Sequence, residues 1–176
     1  MKKVILLLLL STIAYSQEGV KLIGGFYSGM SKKEAKVEFK ENKDTYINIQ
    51  LGSPVYKYRM YIQNHEYDEN GLIMVGFTPK GTGLGMLESS GKDYFRDLVE
   101  FLLAQGYVAE GANVNNDNYF EFSNDNSWYL VNKDKTKQIK IFTMPYLSAG
   151  MISFSVWIGL YDGNSEDYSN INSILD

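Results

Sequence analysis

Lys92-Asp93-Tyr94-Phe95-Arg96-Asp97-Leu98-Val99-Glu100-Phe101-Leu102-Leu103-Ala104-Gln105-Gly106 decides the fold, because it is the longest stretch with a helical period and it separates two runs of alternating residues. Apolar side chains recur at Tyr94/Phe95, Leu98/Val99 and Phe101/Leu102, while Lys92, Asp93, Arg96, Asp97 and Glu100 hold the opposite face. A helix patterned in this way covers something apolar. Ser89 and Ser90 offer cap oxygens at its start, and Gly106 can take the left-handed conformation that ends it. The spacing predicts a core-facing helix over 90–106.

Before this helix, Ser31 followed three residues later by Glu34 has the spacing of a capping box and predicts another helix, with Ala35 and Phe39 as its thin apolar stripe and Met30 as a staple. From Thr45 the period becomes two, with Ile47, Ile49 and Leu51 on one face and Tyr46, Asn48 and Gln50 on the other. After the turn Gly52-Ser53-Pro54, the segment Tyr56 to Gln63 alternates again, placing Tyr58, Met60 and Ile62 opposite Arg59, Tyr61 and Gln63. Asp68-Glu69-Asn70-Gly71 then turns the chain into a strand over Leu72 to Thr78.

Beyond the central helix, strands are expected at Tyr119 to Phe122, Trp128 to Val131, Gln138 to Met144 and Met151 to Tyr161. In the last of these, Ile152, Phe154, Val156, Ile158 and Leu160 form the core face and Ser153, Ser155, Trp157 and Tyr161 the other. The connections are too short for parallel crossovers, so the fold class is α+β: two helix-then-antiparallel-strands units, 24–80 and 88–162, packed as one domain with helices on one face of the sheet. One continuous sheet and two separate lobes both satisfy this order.

The first residues read as a cleavable signal peptide over 1–16. Lys2 and Lys3 precede an apolar run from Val4 to Leu10, and Ala14-Tyr15-Ser16 supplies a small-x-small site ahead of Gln17. The run is shorter than the about 20 residues that span a bilayer, so no stable membrane insertion is expected after cleavage. No cysteine is present to carry a lipid anchor, and a periplasmic or secreted protein follows. The domain is expected over 17–163, and the Asn, Ser, Asp and Glu of 164–176 read as a disordered tail.

Without Lys2 and Lys3 the chain holds 15 Lys and Arg against 21 Asp and Glu, a formal charge of −6. A mildly acidic surface with no basic cluster excludes nucleic acid as a partner. The absence of cysteine also excludes disulfides and thiolate chemistry.

No catalytic motif survives its spacing. Gly81-Thr82-Gly83-Leu84-Gly85 follows a strand and precedes a helix, but it matches neither G-x-G-x-x-G nor a phosphate loop, so it reads as a linker and no cofactor is implied. His65, the single histidine, has no cysteine or second histidine to act with and reads as a solvated turn residue. The loops around Asp117, Asp125 and Asp134 lack the acidic spacing of a calcium loop and read as turn chemistry, so no metal site is assigned. A pair of carboxylates is the one catalytic device the sequence leaves open, and a secreted carboxylate-dependent hydrolase is the alternative function.

Aromatic content remains. Fourteen tyrosines are more than turns account for, and several fall on the polar side of their strands. Exposed Tyr and Trp bring large contact area at low entropic cost, so Tyr61, Trp157, Arg59 and Tyr46 are the candidate contacts for a protein or glycan ligand.

Gly29-Met30-Ser31 opening a helix, followed by a meander that includes Leu51-Gly52-Ser53-Pro54, resembles the BamE-like small envelope proteins over Gly29 to Phe77. The layout is also similar to the tandem helix-plus-sheet arrangement of the β-lactamase inhibitory proteins. The chain departs from the first family in lacking the lipid-bearing cysteine and in placing a strand between the two motifs. The resemblance implies a non-catalytic envelope protein that acts through its surfaces.

Overall fold

A computed structural model of the protein describes residues 19–80, 86–110, 127–145 and 151–163. A hairpin of β1 (Lys21–Ile23) and β2 (Phe26–Tyr27) leads into α1 (Lys32–Glu41) and the single turn α2 (Lys43–Tyr46). Strands β3 (Ile49–Gln50), β4 (Lys57–Asp68) and β5 (Gly71–Pro79) follow, then β6 (Met86–Leu87) and α3 (Glu88–Ala104). The chain continues through β7 (Val108–Glu110), β8 (Ser127–Val131), β9 (Lys137–Pro145) and β10 (Met151–Leu160).

The strand order is β3-β4-β5-β10-β9-β8-β7, every neighbour antiparallel, with β6 also paired to β10. Pairing of β5 with β10, through Phe77↔Val156 and Val75↔Ile158, makes one continuous sheet of the two halves. The fold is α+β, with the helices packed against antiparallel sheet.

Alternation sets which side chains meet the helices. Phe77, Val156, Ile141 and Trp128 form one cross-strand row, Val75, Ile158, Ile139 and Leu130 the next, and all eight are buried. Ala35 of α1 and Phe95, Leu98, Val99 and Leu102 of α3 complete the core. Phe95 and Trp128 rings pack at 4.3 Å, which fixes α3 over the C-terminal half. On the opposite face Tyr129, Val131 and Gln138 are buried as well, while Lys140, Phe142 and Trp157 are half-buried.

Local signals in the sequence behave as their chemistry requires. The Ser31 N–H donates to Glu34 Oε2 at 2.8 Å and the Glu34 N–H to Ser31 Oγ at 3.3 Å, a complete capping box. The Ser31 bonds hold the Glu34 carboxyl below its usual pKa. At the end of α3 the Gly106 N–H donates to the Leu103 carbonyl at 2.9 Å and the Tyr107 N–H to Leu102 at 3.1 Å, with Gly106 at φ +84°. These are the two bonds of a Schellman stop.

Two sequence readings need correction. The helix expected over 90–106 starts at Glu88, so Ser89 and Ser90 lie in its first turn, and Leu87 stands at the cap position without a side-chain bond. The strand expected from Thr45 is replaced by α2 and the short β3, because Tyr46 turns into the core instead of along a sheet face. The expected strand at 119–122, the glycine-rich 81–85, the leader 1–16 and the tail 164–176 lie outside the described residues. Among the described residues no helix is long and apolar enough to cross a membrane.

Candidate functional site at the β4 bulge

The site begins with a change of register. Tyr58, Arg59 and Met60 of β4 oppose Pro79, Thr78 and Phe77 of β5, and the next pair is His65 with Val75. Five residues of β4 therefore run against two of β5, a bulge of three extra residues. An odd insertion reverses the facing of every later residue. Met60 points inward before the bulge, and His65 points inward after it, where uninterrupted alternation would turn it to solvent.

This overturns the reading of His65 as a solvated turn residue. Its ring is buried, with Phe26 edge-on at 5.0 Å and Phe39 at 6.4 Å, and neither ring nitrogen has a hydrogen-bond partner among the described residues. Burial without an acceptor penalises the charged form and lowers its pKa from 6.5 to about 4. The ring is a neutral core group at physiological pH.

Beside the bulge the edge of the sheet is open. β3 pairs only with Lys57 and Tyr58, and from Arg59 onward α1 and α2 take its place. The result is a groove of about 390 Å³. Its apolar lining is Phe39, Ile47, Ile62 and Met60, the last fully buried. Lys43, Arg59, Tyr61 and Gln63 form the rest of the wall, so the lining carries two cations and no carboxylate. Arg59 donates to Tyr61 Oη at 3.4 Å, and its guanidinium carbon stands 5.8 Å from the centre of the Tyr61 ring, within reach of cation–π attraction. Arg59 Nε is buried and has no acceptor among the described residues. A buried cationic donor left without a partner is costly.

A second cleft, of about 470 Å³, runs along α1 and includes Glu34, Glu38 and Glu41. Two of these carboxylates already have structural work. Glu34 closes the capping box, and Glu38 accepts from the Tyr46 hydroxyl and from Asn42 Nδ2.

The four residues expected to contact ligand from the sequence do not converge. Arg59 and Tyr61 share the groove. Tyr46 is in the core, where its hydroxyl accepts from the Gly25 N–H at 2.9 Å and donates to Glu38, so it offers no contact surface. Trp157 lies on the face turned away from the helices, stacked on Phe142 at 6.4 Å and laid across Gly76, where an added Cβ would stand 3.0 Å from the ring. The tyrosine excess is partly absorbed by packing: Tyr94 tilts against Tyr56 at 4.6 Å and stands perpendicular to the buried Tyr58 at 5.5 Å. Burial first, then the charge of Asp97, pushes the Tyr58 hydroxyl well above the ordinary tyrosine pKa.

Sequence reasoning missed Phe39, Lys43, Ile47 and Ile62. Nothing in the unbroken alternation of Tyr56 to Gln63 announces the bulge that brings them together. Among the described residues no three His, Asp or Glu side chains are grouped to hold a metal ion. Comparison with family models, curated proteins and solved structures finds no match to this chain.

Proposed function

We propose that the chain is an exported, non-catalytic binding module of the bacterial cell envelope, and that the groove beside the β4 bulge is its binding site. One observation carries the reading: an apolar concavity of about 390 Å³ at a sheet edge, with Lys43 and Arg59 in its lining. That size lies within the ordinary range of small-ligand pockets, roughly 300–1,000 Å³. The basic and apolar leader at 1–16 supports export, and the likeness of Gly29-Met30-Ser31 to envelope-protein helix starts supports the compartment. The hydrolase alternative would draw on the α1 cleft, where Glu34 and Glu38 are already engaged in holding the helix and Tyr46, and this favours the binding reading.

The test uses a small neutral apolar fluorophore, 1-naphthylamine, titrated into the exported protein. The expected result is saturable, one-to-one fluorescence enhancement that Ile62→Glu abolishes without lowering the melting temperature. Enhancement unchanged by Ile62→Glu would place the binding elsewhere. Fractionation tests the compartment: recovery of an uncleaved chain in the cytoplasm would contradict export.

A further inference from the structure

We propose that the ligand of this groove is a small amphipathic anion, a single alkyl chain ending in a carboxylate, with its chain on Phe39, Ile47 and Ile62 and its headgroup drawn to the cations of the lining, Arg59 and Lys43. The inference rests on the reading of the groove as the binding site and adds the chemistry of its occupant.

Size comes first. A water molecule occupies roughly 30 Å³ of liquid volume, so about 390 Å³ accommodates roughly a dozen non-hydrogen atoms. That suits one chain of about ten carbons with its headgroup, and it is too small for a two-chain membrane lipid. The apolar lining then requires that most of those atoms be apolar, because a polar group laid on Phe39, Ile47 and Ile62 would lose its water without gaining a partner.

Charge sets the headgroup. The protein is acidic overall, with 21 Asp and Glu against 17 Lys and Arg, yet the lining has two cations and no carboxylate. Arg59 bonds Tyr61 through Nη1 at 3.4 Å, a long contact that a charged acceptor outcompetes. A carboxylate is a planar acceptor that matches the guanidinium edge, and a charge-assisted bond there is stronger than a neutral one. Lys43, exposed at the start of α2, adds a second positive charge to the same lining.

The test is calorimetric titration with decanoate, decanol and decyltrimethylammonium, each below its micelle concentration, and with phosphatidylglycerol vesicles. Decanoate is expected to bind one-to-one, at least about tenfold more tightly than decanol, a difference of about 1.4 kcal/mol. The cation should not bind. Arg59→Met, which keeps an apolar stem, should weaken decanoate about tenfold and leave decanol unchanged. Lys43→Met, at an exposed position, should weaken decanoate in the same direction and keeps the test valid if the Arg59 variant does not fold. Equal affinity for decanoate and decanol, or equal loss of both in the variants, would overturn the anion and leave the groove as the site. Failure of both chains to bind would remove the groove itself. Vesicle binding without decanoate binding would overturn the assignment to a free single-chain ligand.

Discussion

The Ser53 N–H donates to both carboxylate oxygens of Asp97, at 3.1 and 2.9 Å, and so ties the turn after β3 to the middle of α3 across 44 residues of sequence. Gly52, immediately before it, has φ +89°, and a Cβ there would run into the same carboxylate. The turn can approach α3 this closely only because residue 52 has no side chain. Asp97→Ala is expected to cost about 1.5–3 kcal/mol, the range for a hydrogen bond to a charged group. Gly52→Ala should cost at least about 1 kcal/mol through the left-handed backbone and the lost approach. Urea midpoints check both, and a Gly52→Ala midpoint equal to wild type would show that the turn is free to move.

His65 makes stability depend on pH. Its folded pKa, about 4, lies below the free value of 6.5, so between those limits the unfolded chain takes up a proton that the folded protein does not. The stability associated with the neutral ring is complete above pH 6.5 and declines as pH falls toward 4. The full shift corresponds to about 3 kcal/mol, and solvent still reaching the ring reduces this to about 2. His65→Leu should remove this part of the slope and be the more stable protein at pH 5. Parallel pH profiles for the two proteins between pH 4 and 7 would contradict the burial.

Tyr46 gives the opposite dependence at high pH. Burial, together with the bond to Glu38, raises its hydroxyl to about 12, so the neutral hydroxyl contributes stability that persists below pH 10 and is lost as pH rises toward 12. Tyr46→Phe leaves the Gly25 N–H and Glu38 without their shared partner and is expected to cost about 1–2 kcal/mol at pH 8. The difference between variant and wild type should narrow at pH 11. Equilibrium unfolding at the two pH values measures it.

Leu98 tests the helix on which the fold depends. It is fully buried on the stripe of α3, in the same core as Phe95 and Trp128. Leu98→Asp places an unpaired charge there and should leave no cooperative transition at 25 °C, a loss above about 4 kcal/mol. Glu100→Ala, on the exposed face of the same helix, should change stability by less than about 0.5 kcal/mol. Loss of circular dichroism at 222 nm distinguishes the two.

Part of the candidate site was legible in the sequence. Arg59 and Tyr61 fall on the polar side of an alternating strand, and both line the groove. Tyr46 belonged to the same expectation, since Thr45 to Leu51 alternates as a strand does, but six or seven residues hold too little information to choose between a strand and a helical turn followed by a short strand. The choice falls to the helix because the Tyr46 ring finds Phe26 at 4.9 Å and its hydroxyl finds Glu38 and Gly25.

What the sequence by itself determined are the features whose partners lie within a few residues: the Ser31–Glu34 capping box, the Gly106 stop, the turn at 68–71 and the apolar stripe of α3. Their energies come from backbone groups close along the chain, so the spacing of residue types is enough to read them. Tertiary structure alone decided the pairing of β5 with β10, the bulge after Met60, the inward turn of His65 and the groove beside it. These depend on which distant surfaces pack together. A three-residue offset between β4 and β5 leaves no mark on the spacing of residue types in either strand, and it becomes visible only when Val75 is found opposite His65.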